Sequence, residues 1–313
     1  MTQLKSLKKK THLPVIAAPM FLISNPAMVI ACCQNGVIGS FPALNQRTSE
    51  GFEDWLIEIN EALDESSSPY AVNLIVNPVN TRLEADLKLC IKHKVPIIIT
   101  SLGINPDLIK AVHSYGGIIL HDITIIRHAQ KAIDAGVDGL IAVAAGAGGH
   151  AGTLSPFALI SEIRQFFDGI LVLAGSISSG KDVLAAKAMG ADFAYMGTRF
   201  INTEESGASD DYKDMIINAH AADIVYTDAV SGVSANFLKE SLQSAGLDLD
   251  ALKNGTADKG DLSALEDEAK AWKNIWSAGH GVGSINNTPP IKTLIEDIKS
   301  EYENAKQSLQ RPL

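Results

Sequence analysis

Residues 138–152, DGLIAVAAGAGGHAG, place one titratable side chain in a glycine-rich loop directly after an apolar run. The run 139–145 predicts a strand that is buried on both faces. It is followed by four glycines within seven residues, Gly146, Gly148, Gly149 and Gly152. Glycine lets the backbone approach a ligand closely, and a histidine exchanges protons near neutral pH. His150 is therefore either a proton-transfer group or a side chain that caps the next helix in a flexible turn.

Small residues follow two further apolar runs, at Gly175-Ser176 and at Gly197-Thr198, and the segment 178–180 (SSG) opens a helical pattern. In an α/β barrel the loops after strands seven and eight often bind a phosphate through backbone N–H groups and a helix N-terminus. We therefore expect a phosphate site formed by these small residues. The alternative is that the glycines only form tight turns.

The elements that must position these residues are short apolar strands that alternate with helices, a pattern typical of a parallel sheet. Eight strands are predicted, at 15–18, 36–41, 71–76, 96–101, 117–121, 139–145, 170–174 and 193–196. A count of eight favours a closed (β/α)8 TIM barrel over an open, doubly wound α/β sheet. In such a barrel the active residues lie at the carboxyl ends of the strands.

After Phe200 the alternation of strands and helices stops. We interpret 204–283 as a helical subdomain over the barrel mouth, and 1–203 together with 284–313 as the barrel. Residues 291–309 have the spacing of a last amphipathic helix.

Composition excludes several classes of protein. The chain has 313 residues, 46% of them hydrophobic, and its formal charge of −10 argues against a nucleic-acid surface. No apolar run reaches the roughly 20 residues of a membrane span, and no signal-peptide pattern begins the chain, so we expect a soluble, cytoplasmic protein. The histidines include no HExxH and the three cysteines no CxxC, so no metal site is predicted.

Four motifs together resemble the nitronate monooxygenase family, formerly called 2-nitropropane dioxygenases, to which FMN-dependent enoyl-ACP reductases are related. They are AAPM (17–20), GAGGHAG (146–152), LAGSISSGKDVLAAKAMGADFAYMGTRF (173–200) and IWSAG (275–279). The resemblance extends over about 15–283 and implies an FMN-binding TIM barrel. It is fairly specific for this group of flavin barrels and much less specific for the substrate.

The resemblance also implies roles for single residues. His150 matches the histidine that such enzymes place over the flavin as a catalytic base, Met20 would pack by the flavin ring, and Asn73 would meet its polar edge. The expected cofactor-binding residues are Ala18, Met20, Asn73, Ser101, Asp122, Gly148, Gly149, Gly175, Ser176, Gly197 and Thr198. The expected substrate pocket is Met20, His121, Trp276 and Ser277.

Three of these positions have a second interpretation. Many relatives have a lysine where this chain has Asp122, and a carboxylate within about 4–6 Å of the flavin would disfavour an anionic reduced flavin or substrate. Asp122 therefore either points elsewhere or marks a different substrate preference. His121 is either a second acid/base group or a strand-end histidine bonded to backbone, and Trp276 is either a pocket residue or part of the subdomain core.

The primary hypothesis is an FMN-dependent oxidoreductase that oxidises alkyl nitronates, or nitroalkanes after proton removal, with O2 as acceptor. The second keeps FMN but takes electrons from NAD(P)H to reduce a quinone or an enoyl thioester. The third is a barrel that binds a phosphorylated metabolite without redox chemistry. The expected partners are small molecules, with a homodimer as a possible assembly, and neither a nucleic acid nor a membrane.

Overall fold

The computed structural model describes residues 2–230, 232–253 and 275–310. The helices are α1 (Thr2–Lys10), α2 (Pro26–Gln34), α3 (Ser49–Ala62), α4 (Leu83–Lys92), α5 (Pro106–His113), α6 (Ile126–Ala135), α7 (Pro156–Ile163), α8 (Gly180–Met189), α9 (Thr198–Ile201), α10 (Asp210–Asn218), α11 (Lys239–Ser244), α12 (Leu249–Lys253) and α13 (Ile291–Leu309). The strands are β1 (Val15–Ala17), β2 (Ser40–Pro42), β3 (Ala71–Ile75), β4 (Ile97–Ser101), β5 (Ile118–Ile123), β6 (Gly139–Val143), β7 (Gly149–His150), β8 (Ile170–Ala174), β9 (Phe193–Met196), β10 (Ile224–Thr227) and β11 (Ala235–Leu238).

Eight parallel strands surround one axis in the order β1-β9-β8-β6-β5-β4-β3-β2. A bridge between Ile16 and Ile38 joins the two ends of this sheet, and the Ala17 amide donates to the Ile38 carbonyl at 2.9 Å. The ring is therefore nearly closed, and the predicted TIM barrel is confirmed against the open sheet. The second strand begins at Ser40 instead of residue 36, because Gly36 is in a left-handed turn with φ of 83°.

Two apolar layers hold the barrel together, because successive strand residues point to opposite faces. On β5, Ile118 and Leu120 belong to the cluster inside the barrel, whereas Ile119 and Ile123 belong to the larger cluster between strands and helices. Leu7 of α1 packs with the inner cluster. This alternation decides which polar side chains at the strand ends can face the barrel mouth.

The segment 204–283 is not wholly helical, so the prediction of a helical subdomain needs correction. It contains α10, α11 and α12, but β10 and β11 pair antiparallel and extend to β7. The β-branched and aromatic residues of β10 (IVYT) favour a strand, and β7 provides the edge against which β11 pairs. Residues 231 and 254–274 of this segment lie outside the described residues, and its boundary as a domain stays a prediction.

The last amphipathic helix is confirmed as α13, which packs on α8 and α2. Its buried face consists of Ile291, Leu294, Ile295, Ile298 and Tyr302. Within the described parts of the chain, no helix has both the length and the apolar character that crossing a bilayer requires.

Candidate active site

His150 lies on the two-residue strand β7, at the edge of the sheet β10-β11-β7. It pairs with Ala235, and Gly149 pairs with Asn236. Gly149 has φ of 69°, a left-handed conformation that glycine adopts without strain. The half-buried His150 is therefore oriented by a strand that comes more than 80 residues later in the chain.

Two side chains of the same hairpin fix the loop on either side of His150. Asn236 Nδ2 donates to the Ala147 carbonyl at 2.7 Å, and Tyr226 OH donates to the Ala151 carbonyl at 3.0 Å. Neither residue is among those predicted from the sequence, because the pattern of 204–283 predicts helices. Strands of four residues carry too little periodicity to predict this hairpin from the sequence.

Four segments predicted to carry the site meet at one rim of the barrel. The amides of Ser176 and His280 both donate to the Gly146 carbonyl, at 3.2 and 2.9 Å. The Gly279 amide donates to Thr198 Oγ1 at 2.9 Å. The loop after β6, the loop after β8, the start of α9 and the 276–279 segment are thus one connected structure.

Two glycines at this rim are required by close packing. Gly175 has φ of 129°, and a Cβ there would lie 2.7 Å from the Ala145 carbonyl oxygen. A Cβ on Gly148 would lie 2.9 Å from the Gly279 amide nitrogen. Gly148 therefore serves the packing of two loops, and its predicted contact with a cofactor stays a prediction.

At two other glycines a Cβ would meet its neighbours only at ordinary contact distance. A Cβ on Gly197 would be at ordinary contact distance, 3.7 Å, from Ala18 Cβ and Met20 Sδ. A Cβ on Gly149 would have Ser277 Oγ as its nearest neighbour, at 4.0 Å. The structure thus brings together Gly197 with Ala18 and Met20, and Gly149 with Ser277.

The N-terminus of α8 is already used by carboxylates, which corrects the expected extent of the phosphate site. The Ser178 and Ser179 amides donate to Asp182 Oδ2 at 3.0 and 2.9 Å. The Gly180 amide donates to Glu301 Oε2 of α13 at 2.7 Å. The amides of 178–180 are therefore not available to a phosphate at this rim.

Trp276 is held by packing from several sides. Its ring stacks on Tyr212 with centroids 4.9 Å apart, and its amide donates to Ser241 Oγ at 2.7 Å. Tyr212 OH donates to the Ser277 carbonyl at 2.5 Å. These contacts favour the interpretation of Trp276 as part of the core, and its place in a substrate pocket stays a prediction.

Three predicted site residues form a hydrogen-bonded row at the carboxyl ends of β3, β4 and β5. Asn73 Nδ2 donates to Ser101 Oγ at 2.8 Å, and Ser101 Oγ donates to Asp122 Oδ2 at 2.5 Å. By the strand alternation all three face the inside of the barrel. Burial raises the pKa of Asp122 to about 6, and the hydrogen bond from Ser101 opposes this rise.

His121 faces the other way, so the prediction that it lines the substrate pocket is wrong. It is 5% exposed, and its Nδ1 lies 2.7 Å from Thr100 Oγ1 on the outer face of the barrel wall. Burial and the neighbouring His128 of α6 lower the pKa of His121 to about 4. Since Asp122 follows it on the same strand, only one of the two side chains can face the mouth, and that is Asp122.

These two neighbours give opposite pH dependences of stability. The pKa of His121 falls from 6.5 to about 4 on folding, so the unfolded chain binds the proton first and the folded state loses stability as pH falls from 6.5 to 4. The pKa of Asp122 rises from 3.8 to about 6, so the folded state loses stability as pH rises over that range. Each effect is about 3 kcal/mol at most, and together they nearly cancel.

We expect single variants to separate the two effects in urea unfolding between pH 4 and 7. His121→Gln should become less stable as pH rises, and Asp122→Asn should become less stable as pH falls. Asp122→Asn should also exceed the wild type in free energy of unfolding at pH 7, since it removes a buried charge. Parallel pH profiles for wild type and both variants would contradict the assignment.

The chain is a TIM barrel whose hydrogen-bonded rim lies at the carboxyl ends of the strands, the end at which barrels of this class carry their active sites. The sequence matches the model of the nitronate monooxygenase family over residues 2–301. The chain therefore belongs to the nitronate monooxygenase family and is an oxidoreductase.

Individual relatives agree with this membership. A nitronate monooxygenase of Paraburkholderia phytofirmans is 24% identical, over 95% of this chain and 94% of its own length. A Mycobacterium tuberculosis protein named as a monooxygenase is 26% identical, over 72% of this chain but only 64% of its own length. The solved structure of nitroalkane oxidase from Streptomyces ansochromogenes superposes with a TM-score of 0.83 at 23% identity, covering 97% of this chain and 100% of that one. This last likeness shows the fold.

Proposed function

We propose that this chain is an FMN-dependent oxidoreductase that oxidises alkyl nitronates, or nitroalkanes after proton removal, with O2 as the final electron acceptor. The observation that carries the proposal is the connected rim, in which one set of hydrogen bonds joins the glycine loop before His150 to Ser176, Thr198 and the 276–279 segment. Family membership supplies the class of reaction.

FMN fits this rim on two observations. Backbone at Gly197, beside Ala18 and Met20, borders space that a Cβ would fill without a clash. Inside the mouth, Asp122 Oδ1 and Tyr195 OH are buried polar atoms with no hydrogen-bond partner among the described residues. A phosphate tail needs close-approaching backbone amides, and a flavin ring offers polar atoms to a buried pair of this kind.

In this proposal FMN would supply the redox chemistry, by which electrons pass from the nitronate to O2. Gly175, Ser176, Gly197 and Thr198 would hold its phosphate. Met20 would pack by the ring, and Asn73 and Ser101 would meet its polar edge. These residues orient the cofactor and exclude competing reactions, while the protein itself provides no redox group.

His150 is the proposed base. It takes the proton from the α-carbon of a neutral nitroalkane, which converts the substrate into the nitronate that is oxidised. The strand pairing of β7 with β11 and the Asn236 bond to the loop keep its position fixed before substrate arrives. A pre-positioned base contributes typically about 10²–10⁴-fold to such a step.

The test is the visible spectrum of the purified protein after incubation with FMN, followed by anaerobic mixing with substrates. We expect a bound flavin whose absorbance bleaches with propyl nitronate and not with NADH or NADPH, and returns when air is admitted. Rapid bleaching by NADH or NADPH with none by nitronate would instead support the quinone or enoyl-thioester reductase. A protein that stays colourless with FMN would support a barrel without redox chemistry.

A further inference from the structure

Two buried polar atoms inside the barrel mouth have no hydrogen-bond partner among the described residues, Asp122 Oδ1 and Tyr195 OH. Leaving such an atom without a partner costs free energy, so an unpaired pair in one place points to a group that arrives from outside. Both side chains face the inside of the barrel, by the alternation along β5 and β9.

The carboxyl group of Asp122 is fixed from one side only. Its Oδ2 accepts the 2.5 Å hydrogen bond from Ser101, which in turn is bonded to Asn73. On the inner face of the barrel, the neighbouring residues Ile141 of β6 and Val172 of β8 are apolar. They provide no hydrogen-bonding group for Oδ1. Oδ1 therefore keeps a free position toward the mouth.

Tyr195 approaches the same place from β9. The charge of Asp122 acts on the Tyr195 phenol and raises its pKa further above its ordinary value, beyond the rise that burial causes. Tyr195 OH is thus a donor at all ordinary pH values. A carboxylate at Asp122 would be an acceptor only, whereas a protonated Asp122 would be a second donor.

We propose that Asp122 takes up a proton when FMN binds, and that Asp122 and Tyr195 then donate hydrogen bonds together to the polar edge of the flavin. This inference rests on the proposed function. The proton comes from solvent, and no bond other than O–H is formed.

The protonation state of Asp122 is easily shifted. With a pKa of about 6, roughly a tenth of the molecules carry the proton at pH 7 before a ligand binds. Facing ring carbonyl oxygens, which are acceptors, an ionised carboxylate is repelled and a protonated one is bonded. Binding therefore pulls the equilibrium toward the protonated acid.

Other titratable groups near Asp122 also contribute to the pH dependence of FMN binding, and their contribution can be separated from that of Asp122. Tyr195 of β9 faces the barrel interior and feels the charge of Asp122, whereas His121 on the same strand as Asp122 faces outward. His150 and His280 lie on loops over the same end of the barrel. The FMN phosphate also titrates near pH 6. A comparison of wild type with Asp122→Asn holds all of these unchanged.

The experiment is calorimetric titration of the FMN-free protein with FMN at pH 5.5 and pH 8, in two buffers of different ionisation enthalpy. At pH 8, we expect the wild type to take up close to one proton more than Asp122→Asn. From pH 5.5 to pH 8, the affinity of the wild type for FMN should fall by a factor at least ten times larger than the factor for Asp122→Asn. Tyr195→Phe should weaken binding by a similar factor at both pH values, since it removes a donor that does not titrate.

A second measurement needs no variant. Infrared difference spectra of the wild type at pH 7 should gain the band of a protonated carboxyl group when FMN is added. Equal proton uptake and equal pH dependence in wild type and Asp122→Asn, or no such band, would overturn the inference while leaving FMN binding intact. Failure of the wild type to bind FMN at either pH would overturn the proposed function itself.

Discussion

Replacing His150 by Asn should lower turnover of a neutral nitroalkane by about 100-fold or more while FMN stays bound. The reason is that a general base typically contributes about 10²–10⁴-fold, and the amide of Asn cannot accept the α-proton near neutral pH. The variant should retain the flavin spectrum and the fold, because the contacts that orient β7 come from its backbone and from Asn236 and Tyr226. The measurement is kcat and KM for nitroethane with the FMN-loaded protein.

The substrate itself provides a sharp control. A preformed nitronate has already lost its α-proton, so its oxidation should change far less in His150→Asn than that of the nitroalkane. His93→Asn is a matched histidine variant, since His93 lies at the end of α4, bonded to Glu53, and plays no part in the rim. Equal losses on nitroalkane and nitronate would give His150 a binding role, and unchanged turnover would remove it from the mechanism.

Gly197→Ala should weaken FMN binding by tenfold or more and leave the FMN-free protein about as stable as the wild type. A Cβ at this position would lie 3.7 Å from Ala18 Cβ and Met20 Sδ, an ordinary contact distance, and the backbone has φ of −98°, which any residue adopts. The protein alone therefore tolerates the methyl group. A phosphate that approaches the Gly197 backbone does not, because the methyl group occupies the space it needs. The measurement is the FMN dissociation constant beside the thermal unfolding midpoint without FMN.

Gly175→Ala is the contrasting variant at the neighbouring loop. Its φ of 129° and the 2.7 Å approach of the Ala145 carbonyl make any side chain strained there. This variant should therefore lose stability without FMN as well as affinity for it. If Gly197→Ala bound FMN as tightly as the wild type, the phosphate would have to be placed elsewhere on the rim.

Most of the barrel could be predicted from the sequence, because its signals are local. An apolar strand buried on both faces is a short run of hydrophobic residues wherever it occurs, as in 170–174. Helix starts are equally local, since Asn25 accepts the Met28 amide three residues later at 2.9 Å. The glycines at the rim could also be predicted locally, because they follow apolar runs, and the family motifs include them.

The pairing of β11 with His150 could not be predicted in this way. The hairpin that contains Asn236 and Tyr226 was interpreted as helical, since a four-residue strand carries little periodicity of its own. The same holds for the α8 N-terminus, where Glu301 arrives from 121 residues further along the chain to bond the Gly180 amide. Contacts between residues so far apart in the chain cannot be detected in a short stretch of sequence.

By itself the sequence determined the class of fold and the set of residues that could take part in chemistry. Only the tertiary structure decided which of His121 and Asp122 faces the mouth, and which loops are bonded to one another at the rim. The physical reason is that residue types and their spacing determine local conformation. The face of the sheet to which a side chain points depends instead on strand register and on closure of the barrel. A shift of one residue along β5 would have exchanged the roles of that histidine and that acid.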